Sequence, residues 1–301
     1  MRLYSSVRVL AFLAAAALFA PGAVAQDKGA EAKYKFKKGE ALKYDVTSFL
    51  EVDQTGTHES FLTNGNPRPM AWTVNGSFEN KVIEVAEDGT ATLERHVKSV
   101  DSSGHVETAA GLEKFKIAWS KEKDKTAPDE AKYTSLMERF AVNMIANPVK
   151  YMVYSDGQLG DMADAFMKNL VMRRGMMTWP VRGSEVTWPS IEVIAVPMLH
   201  DKIKIEFKNQ VTGDAGRSGF KVRQINAPAT LKESASAGFH QFELKYTVSG
   251  GAKAEFDLTN GRLYKLEIDL KIGFSGEAPV GDGKGAIKGT ATYKETQVYK
   301  D

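Results

Sequence analysis

Five histidines, His58, His96, His105, His200 and His240, are the first side chains to weigh for acid–base or metal chemistry in this chain. None stands at the His-Glu-x-x-His spacing that puts two imidazoles on one helix face. A nucleophile elbow of the Gly-x-Ser-x-Gly type is absent, as are a phosphate-cradling Gly-x-x-x-x-Gly-Lys-Ser/Thr loop and a Gly-x-Gly-x-x-Gly fingerprint. His200 and Asp201 could be a base with its orienter, but neighbours on a strand point to opposite faces and would not meet without a turn. Gly281-Asp282-Gly283-Lys284-Gly285 has the composition of an anion nest but lacks the helix start that makes one effective, so it reads as a hairpin loop. Asp161 and Asp164 lack the alternating oxygens of a calcium loop and suit the polar side of a helix start. Asn75-Gly76-Ser77 matches a glycosylation acceptor and reads equally as a turn. No catalytic residue, metal site or cofactor is expected from these patterns.

One cluster departs from the background. Of eleven methionines, eight fall between Met137 and Met177, namely Met137, Met144, Met152, Met162, Met167, Met172, Met176 and Met177, with Trp179 and Trp188 just beyond. Methionine is flexible and polarizable, so a surface rich in it can repack around apolar guests of varied shape. Met172, Met176, Met177, Trp179 and Trp188 are therefore the candidate ligand-binding residues. The bland alternative is that Met137, Met144, Met162 and Met167, at helical spacing, fill the core where helices meet a sheet, and the spacing favours it. Copper held by thioethers ranks last, because no compact Met-x-Met or Met-x-x-Met array with histidine occurs.

The elements that would position these residues begin after residue 25. Arg2 and Arg8, the apolar run from Val9 to Ala20 and the small residues Ala23 and Ala25 have the form of a secretory signal peptide cleaved before Gln26. The run is shorter than the ~20 residues of a membrane helix, and no later segment approaches that length. Chain-wide, 40 basic residues stand against 38 acidic ones, and the leader takes two arginines with it, so the remainder is balanced and gives no electrostatic reason to expect nucleic acid or an anionic membrane. There is no cysteine, which removes disulfides, thiolate chemistry and a lipid-modified N-terminal cysteine together. A periplasmic or extracellular location follows as the expectation, without a membrane span.

Residues 26–33 are small and polar and read as a flexible start. From Tyr34 the apolar period is two: Leu42, Tyr44 and Val46 alternate with lysine and aspartate, and Asp88-Gly89 marks a hairpin. Pro128-Asp129-Glu130 opens a helical pattern through Tyr133, Leu136, Phe140 and Ile145 that Asn147-Pro148 stops, and a second follows through Met162, Phe166, Met167 and Leu170 to Gly175. Strands then return. Ile203, Ile205 and Phe207 share a face, as do Phe242, Leu244, Tyr246 and Val248, and Leu266, Ile268, Leu270, Ile272 and Phe274. Asn260-Gly261 predicts a type I′ turn, and a last short strand is expected around Thr290–Val298. Lys38-Gly39 with Leu42 and Tyr44 is echoed by Arg182-Gly183 with Val186 and Trp188, a match too short to establish duplication.

Phe36-Lys37-Lys38-Gly39-Glu40 leading into a strand, together with the strand, Phe256-Asp257 turn, Asn260-Gly261-Arg262-Leu263 and strand arrangement, resembles exported bacterial families of unknown function. Their sheets are distantly similar to the half-barrel of periplasmic lipoprotein carriers. The resemblance implies a curved antiparallel sheet enclosing helices and an apolar cavity, and it transfers no site residues.

The expected fold is thus α+β and mostly β: curved antiparallel sheet or sheets over 34–301, as a half-barrel or as two lobes (34–128 and 179–301) joined by a helical segment 129–175, with two central helices on the concave face. The expected function is non-enzymatic binding or carriage of an apolar or lipid-like molecule. A scaffold with a packed core that binds an envelope protein is the alternative. Replacing Met172, Met176 and Met177 with smaller polar residues is expected to weaken uptake of an acyl-chain probe while leaving the melting temperature largely unchanged; a collapse of thermal stability would mark them as core.

Overall fold

A computed structural model describes residues 31–56, 70–108, 111–124, 126–129, 136–160, 178–195, 202–217, 219–235, 244–280 and 283–300. The period-two segments become the strands β1 (Ala41–Gly56), β2 (Met70–Val85), β3 (Ala91–Thr108), β4 (Gly111–Ser120), β5 (Val149–Val153), β6 (Thr187–Ala195), β7 (Lys202–Arg217), β8 (Phe220–Ala235), β9 (Lys245–Asp257), β10 (Arg262–Val280) and β11 (Gly283–Lys300). They form one antiparallel sheet in the order β4-β3-β2-β1-β11-β10-β9-β8-β7-β6, which does not close. β5 pairs with the stretch of β3 that β4 leaves uncovered, Ala91–Arg95. The pairing of β1 with β11 joins the strands near the start of the chain to those near its end in the same sheet.

Alternation sets the two faces. Leu266, Ile268, Leu270, Ile272 and Phe274 are all buried on β10, while Asp269 and Lys271 are exposed between them. The registers align such inward residues across the strands: Ile117, Ser102, Val74, Ser48, Glu295, Ile268, Ala252 and Ala227 form one continuous row from β4 to β8. A slip of one residue at any of these pairings would turn a whole apolar set to water, so burial of one face fixes the register.

The end of the sheet near the β9–β10 turn is tied by the segment before β1. Ala32 pairs with Gly183, the Tyr34 N–H donates to the Ser155 carbonyl, and the Lys35 N–H donates to that of Gly261. Order thus starts before Tyr34, since Ala32 is already buried. Tyr34 sits edge-on to Phe256 and stacks on Phe36. Its hydroxyl donates to the Trp179 carbonyl at 3.0 Å and accepts from the Trp179 N–H at 2.9 Å.

Several expectations are corrected. The central pair of helices is not part of the described fold: the helix among the described residues is α1 (Leu136–Ala146), and the second pattern, Met162–Leu170, lies outside them. α1 sits at the sheet margin, with Val142 and Ile145 against Ile117 of β4. The inner face already carries a continuous cluster of the sheet's own aromatic and aliphatic side chains. The Asn260-Gly261 turn is not a two-residue hairpin, because Arg262 pairs with Asp257 and four residues lie between them. Asp257 Oδ1 accepts from the Thr259 and Asn260 N–H groups, the Gly261 N–H donates to the Asp257 carbonyl, and Gly261 takes φ 64°. The aspartate side chain, absent from the dipeptide rule, selects the longer loop. The last strand is long, Gly283–Lys300, because its glycines pair directly with β10 instead of looping out. At Gly289 a Cβ would lie 2.4 Å from the Phe274 ring, so the missing side chain makes room for that aromatic.

Leu270 is fully buried in mid-β10, and its replacement by alanine is expected to cost about 2–5 kcal/mol in chemical denaturation. Lys271→Ala, one residue away on the wet face, is expected to stay within about 0.5 kcal/mol of the parent.

Candidate functional site

Of the five residues singled out by sequence, Met172, Met176 and Met177 lie outside the described residues. Trp179 and Trp188 are brought together, and Asn209 of β7 links them. The Trp179 indole donates to Asn209 Oδ1 at 2.8 Å, and Asn209 Nδ2 donates to the Trp188 carbonyl at 3.2 Å and to Ser190 Oγ at 2.8 Å. Trp179 also meets Phe207 edge-on with ring centres 5.1 Å apart. Both tryptophans are buried, so they belong to the packed interior at this end of the sheet. The Trp188 Nε1 is buried and has no hydrogen-bond partner.

A second group of inward residues was not singled out. Ser48 and Glu295 are direct cross-strand partners, Val46 faces Gln297 one row along, and Leu50 faces Tyr293 one row the other way. Ser48, Glu295, Gln297 and Tyr293 are each 4% exposed or less. Glu295 is the hub: the Tyr293 hydroxyl donates to one carboxylate oxygen and the Gln297 amide to the other. After those contacts, Ser48 Oγ and Gln297 Oε1 remain buried without a partner. Arg95 of β3, itself buried, lies over the Phe78 ring at 5.9 Å. Burial pulls its guanidinium down to about 10, against the opposing pull of Tyr151 and Glu295. Burial likewise pushes the Tyr34, Tyr44 and Tyr151 phenols well above their usual range; the Trp179 hydrogen bond opposes this at Tyr34 and the Arg95 charge at Tyr151.

The alternation that located the strands carried a signal for this group. Within the inward phase, Ser48 interrupts Leu42-x-Tyr44-x-Val46-x-Ser48-x-Leu50, Arg95 interrupts Ala91-x-Leu93-x-Arg95-x-Val97, and Glu295 and Gln297 follow Tyr293. A polar residue in an inward phase must find a partner or cost stability. The pairing of β1 with β11 then places Ser48, Glu295 and Gln297 beside one another, which only the register reveals, while Arg95 falls in the row of Asn80 and Leu42.

On the outer face two grooves cross the strands. The larger, about 750 Å³, runs over β1, β11, β10, β9 and β8 between walls that include Thr47, Phe49, Glu267, Asp269, Lys294 and Thr296. The smaller, about 520 Å³, crosses β1 to β4 and shares Thr47. Lys294 lies 3.6 Å from Asp269, so charge in the wall is compensated within the wall. The floor of the larger groove is the backbone of Ser48, Glu295 and Ile268, whose side chains point to the other face.

The histidines give no converging set among the described residues. His96 Nε2 lies 2.8 Å from Glu94 Oε1, an i, i+2 pair on one face of β3, while His58, His200 and His240 lie outside the described residues. Among the described residues no three histidine, aspartate or glutamate side chains converge as a metal site. Nor is any described helix long and apolar enough to cross a membrane. Comparison with known protein families and with characterised proteins finds no match to this chain.

The arrangement is a buried carboxylate held by two donors beside a hydroxyl and an amide oxygen that have no partner of their own, with apolar side chains on both sides. Tyr34, Tyr44 and Tyr151 are expected to stay protonated through pH 10 and to ionise only as the chain unfolds. Their folded values are raised, so the stability they contribute is present below the ordinary tyrosine value and is lost as pH rises past it. Absorbance titration at 295 nm should show these three missing from the first wave, and their early ionisation in the folded state would show the interior to be wet.

Proposed function

We propose that this chain is a non-enzymatic exported binding protein, an open half-barrel that holds an amphipathic molecule on its inner face. The apolar portion of the ligand lies along the aliphatic and aromatic side chains of the sheet, and its polar head meets Ser48 and Gln297. The observation that carries this reading is the pair of buried atoms without partners, Ser48 Oγ and Gln297 Oε1, beside Glu295. Leaving a buried polar group unsatisfied costs about 1–3 kcal/mol. A head group that donates hydrogen bonds, a hydroxyl or an amide N–H, would recover that cost on binding. The small inward residues Ala227, Ala229, Ala252 and Ala254 on β8 and β9 keep side-chain volume low along and beside the same row, where an acyl chain would need space. The apolar leader pattern of residues 1–25 and the resemblance to exported bacterial families support a location outside the cytoplasm. Function then rests on burial and hydrogen bonding with no covalent step.

The test is native mass spectrometry of the protein purified gently from its own host, followed by extraction and identification of what is bound. A recurrent hydroxyl- or amide-bearing amphiphile is expected. Ser48→Ala and Gln297→Leu should each weaken its retention about tenfold, as loss of a buried hydrogen bond to a ligand does. Ser48→Ala should leave the melting temperature unchanged, because it removes an unsatisfied hydroxyl from the ligand-free interior, whereas Gln297→Leu also removes the amide that donates to the buried Glu295 carboxylate and should lower it. A clean ligand-free mass together with no binding of an acyl-chain probe would end this reading in favour of a protein-binding scaffold.

A further inference from the structure

The sheet ends in two edges that the chain treats differently. At β4 the edge is occupied: the Lys116 N–H donates to Glu138 Oε1 of α1 at 3.2 Å, Val142 and Ile145 pack on Ile117, and the Trp119 indole donates to the Thr126 carbonyl. At β6 the sheet path ends, and among the described residues β7 is the strand it pairs with. An unpaired edge of this kind is a template for another strand, and proteins usually blunt it with charge or cover it. Here the residues on the outer side of β6 are Pro189, Ile191 and Val193, all exposed, with Ile191 at 49% and Val193 at 39%.

The phase of the backbone can be read from one bond. The Val186 carbonyl accepts from the Val211 N–H at 2.8 Å, so the even-numbered residues of β6 bond to β7 and the odd-numbered ones turn their N–H and C=O groups to the open edge. Pro189, which has no N–H to give, falls in the odd phase, where an edge tolerates it.

We propose that β6 is the seam of a two-fold homodimer, in which β6 pairs antiparallel with β6 of a second copy about an axis through Ile191. In that register Ile191 exchanges both main-chain bonds with its own copy, and the Val193 N–H reaches the Pro189 carbonyl of the second copy. The side chains on the outer side then form one uncharged strip, Ile191 beside Ile191 and Val193 beside Pro189. Charge selects this axis over the next one: moving it to Glu192 would set two glutamates directly opposite each other, whereas an axis through Ile191 sets Glu192 against Ser190. The occupant is a second copy because the strip matches itself in shape and lack of charge. With β4 covered in each copy, the assembly closes at two and cannot grow into a fibre. The seam is short, below the ~1,200 Å² of stable complexes, so the dimer is a concentration-dependent one.

Sedimentation equilibrium of the full chain, processed in its host, should show the weight-average mass rising from one chain toward two between about 1 and 300 µM, as a small interface requires. Ile191→Lys and Val193→Lys, both at exposed sites, should each weaken association at least tenfold with unchanged melting temperature. Hydrogen exchange on the unaltered protein gives a second readout: the Ile191 and Val193 amides should slow with concentration, while amides of β4 do not. A single-chain mass throughout, a dimer indifferent to both lysine variants, or edge amides insensitive to concentration would each overturn the proposal.

Discussion

Everything in this molecule follows from having one sheet and therefore one face to bury. A layered domain can share the burden between two elements, but here strands of up to 19 residues must each hold a single phase over their whole length. The price of an error is large, since a slipped register exposes an entire apolar set at once. Long runs without a shift, such as Lys43–Gly56 against β11, are what that constraint produces. With no cysteine anywhere in the chain, no covalent tie can substitute for register.

A single face also needs closing at its ends, and the chain does this with short irregular segments. Tyr34 is the clearest case. It is apolar enough to lie against Phe256 and polar enough to satisfy both backbone groups of Trp179, thereby fixing the segment before β1 to the segment before β6. Asn209 has a comparable role nearby, accepting from one tryptophan side chain and donating to the backbone of the other. Such buried polar ties are expensive to desolvate and strong once satisfied, so they specify one arrangement of the ends.

How much of this was legible in the sequence depends on the range of the cause. Period-two alternation is local, so the inward sets of β10, from Leu266 to Phe274, and of β7 could be read directly, as could the Asp88-Gly89 hairpin with Gly89 at φ 85°. What a local pattern omits is which strand lies beside which. The neighbours β1 and β11 are the first and last of the described strands, and only their pairing makes Ser48, Glu295 and Gln297 a group. Read singly, each is one polar residue in a strand. The longer loop before Arg262 was missed because the side chain of Asp257 competes with the dipeptide rule, and the full length of β11 because glycine reads as a turn until its partner is known. Trp179 and Trp188 are tied to each other through Asn209, which no spacing in the sequence indicates.

The distribution of irregularities bears on where a binding site can sit. Register shifts occur in the β2–β3, β7–β8 and β9–β10 pairings, at Ser77/Phe78, Val82/Glu84, Lys204/Ile205, Val211/Gly213 and Leu263/Lys265. Each adds local twist and lets a strand bend. The pairings of β1 with β11 and of β11 with β10 carry none. The middle of the sheet is thus its most regular region, with bends confined to the flanks and to the β9–β10 turn. Ser48, Tyr293, Glu295 and Gln297 all lie in that regular middle and are buried there. A polar group held there cannot readily swing away to find another partner, whereas the same atoms on a bent flank could relax against the chain.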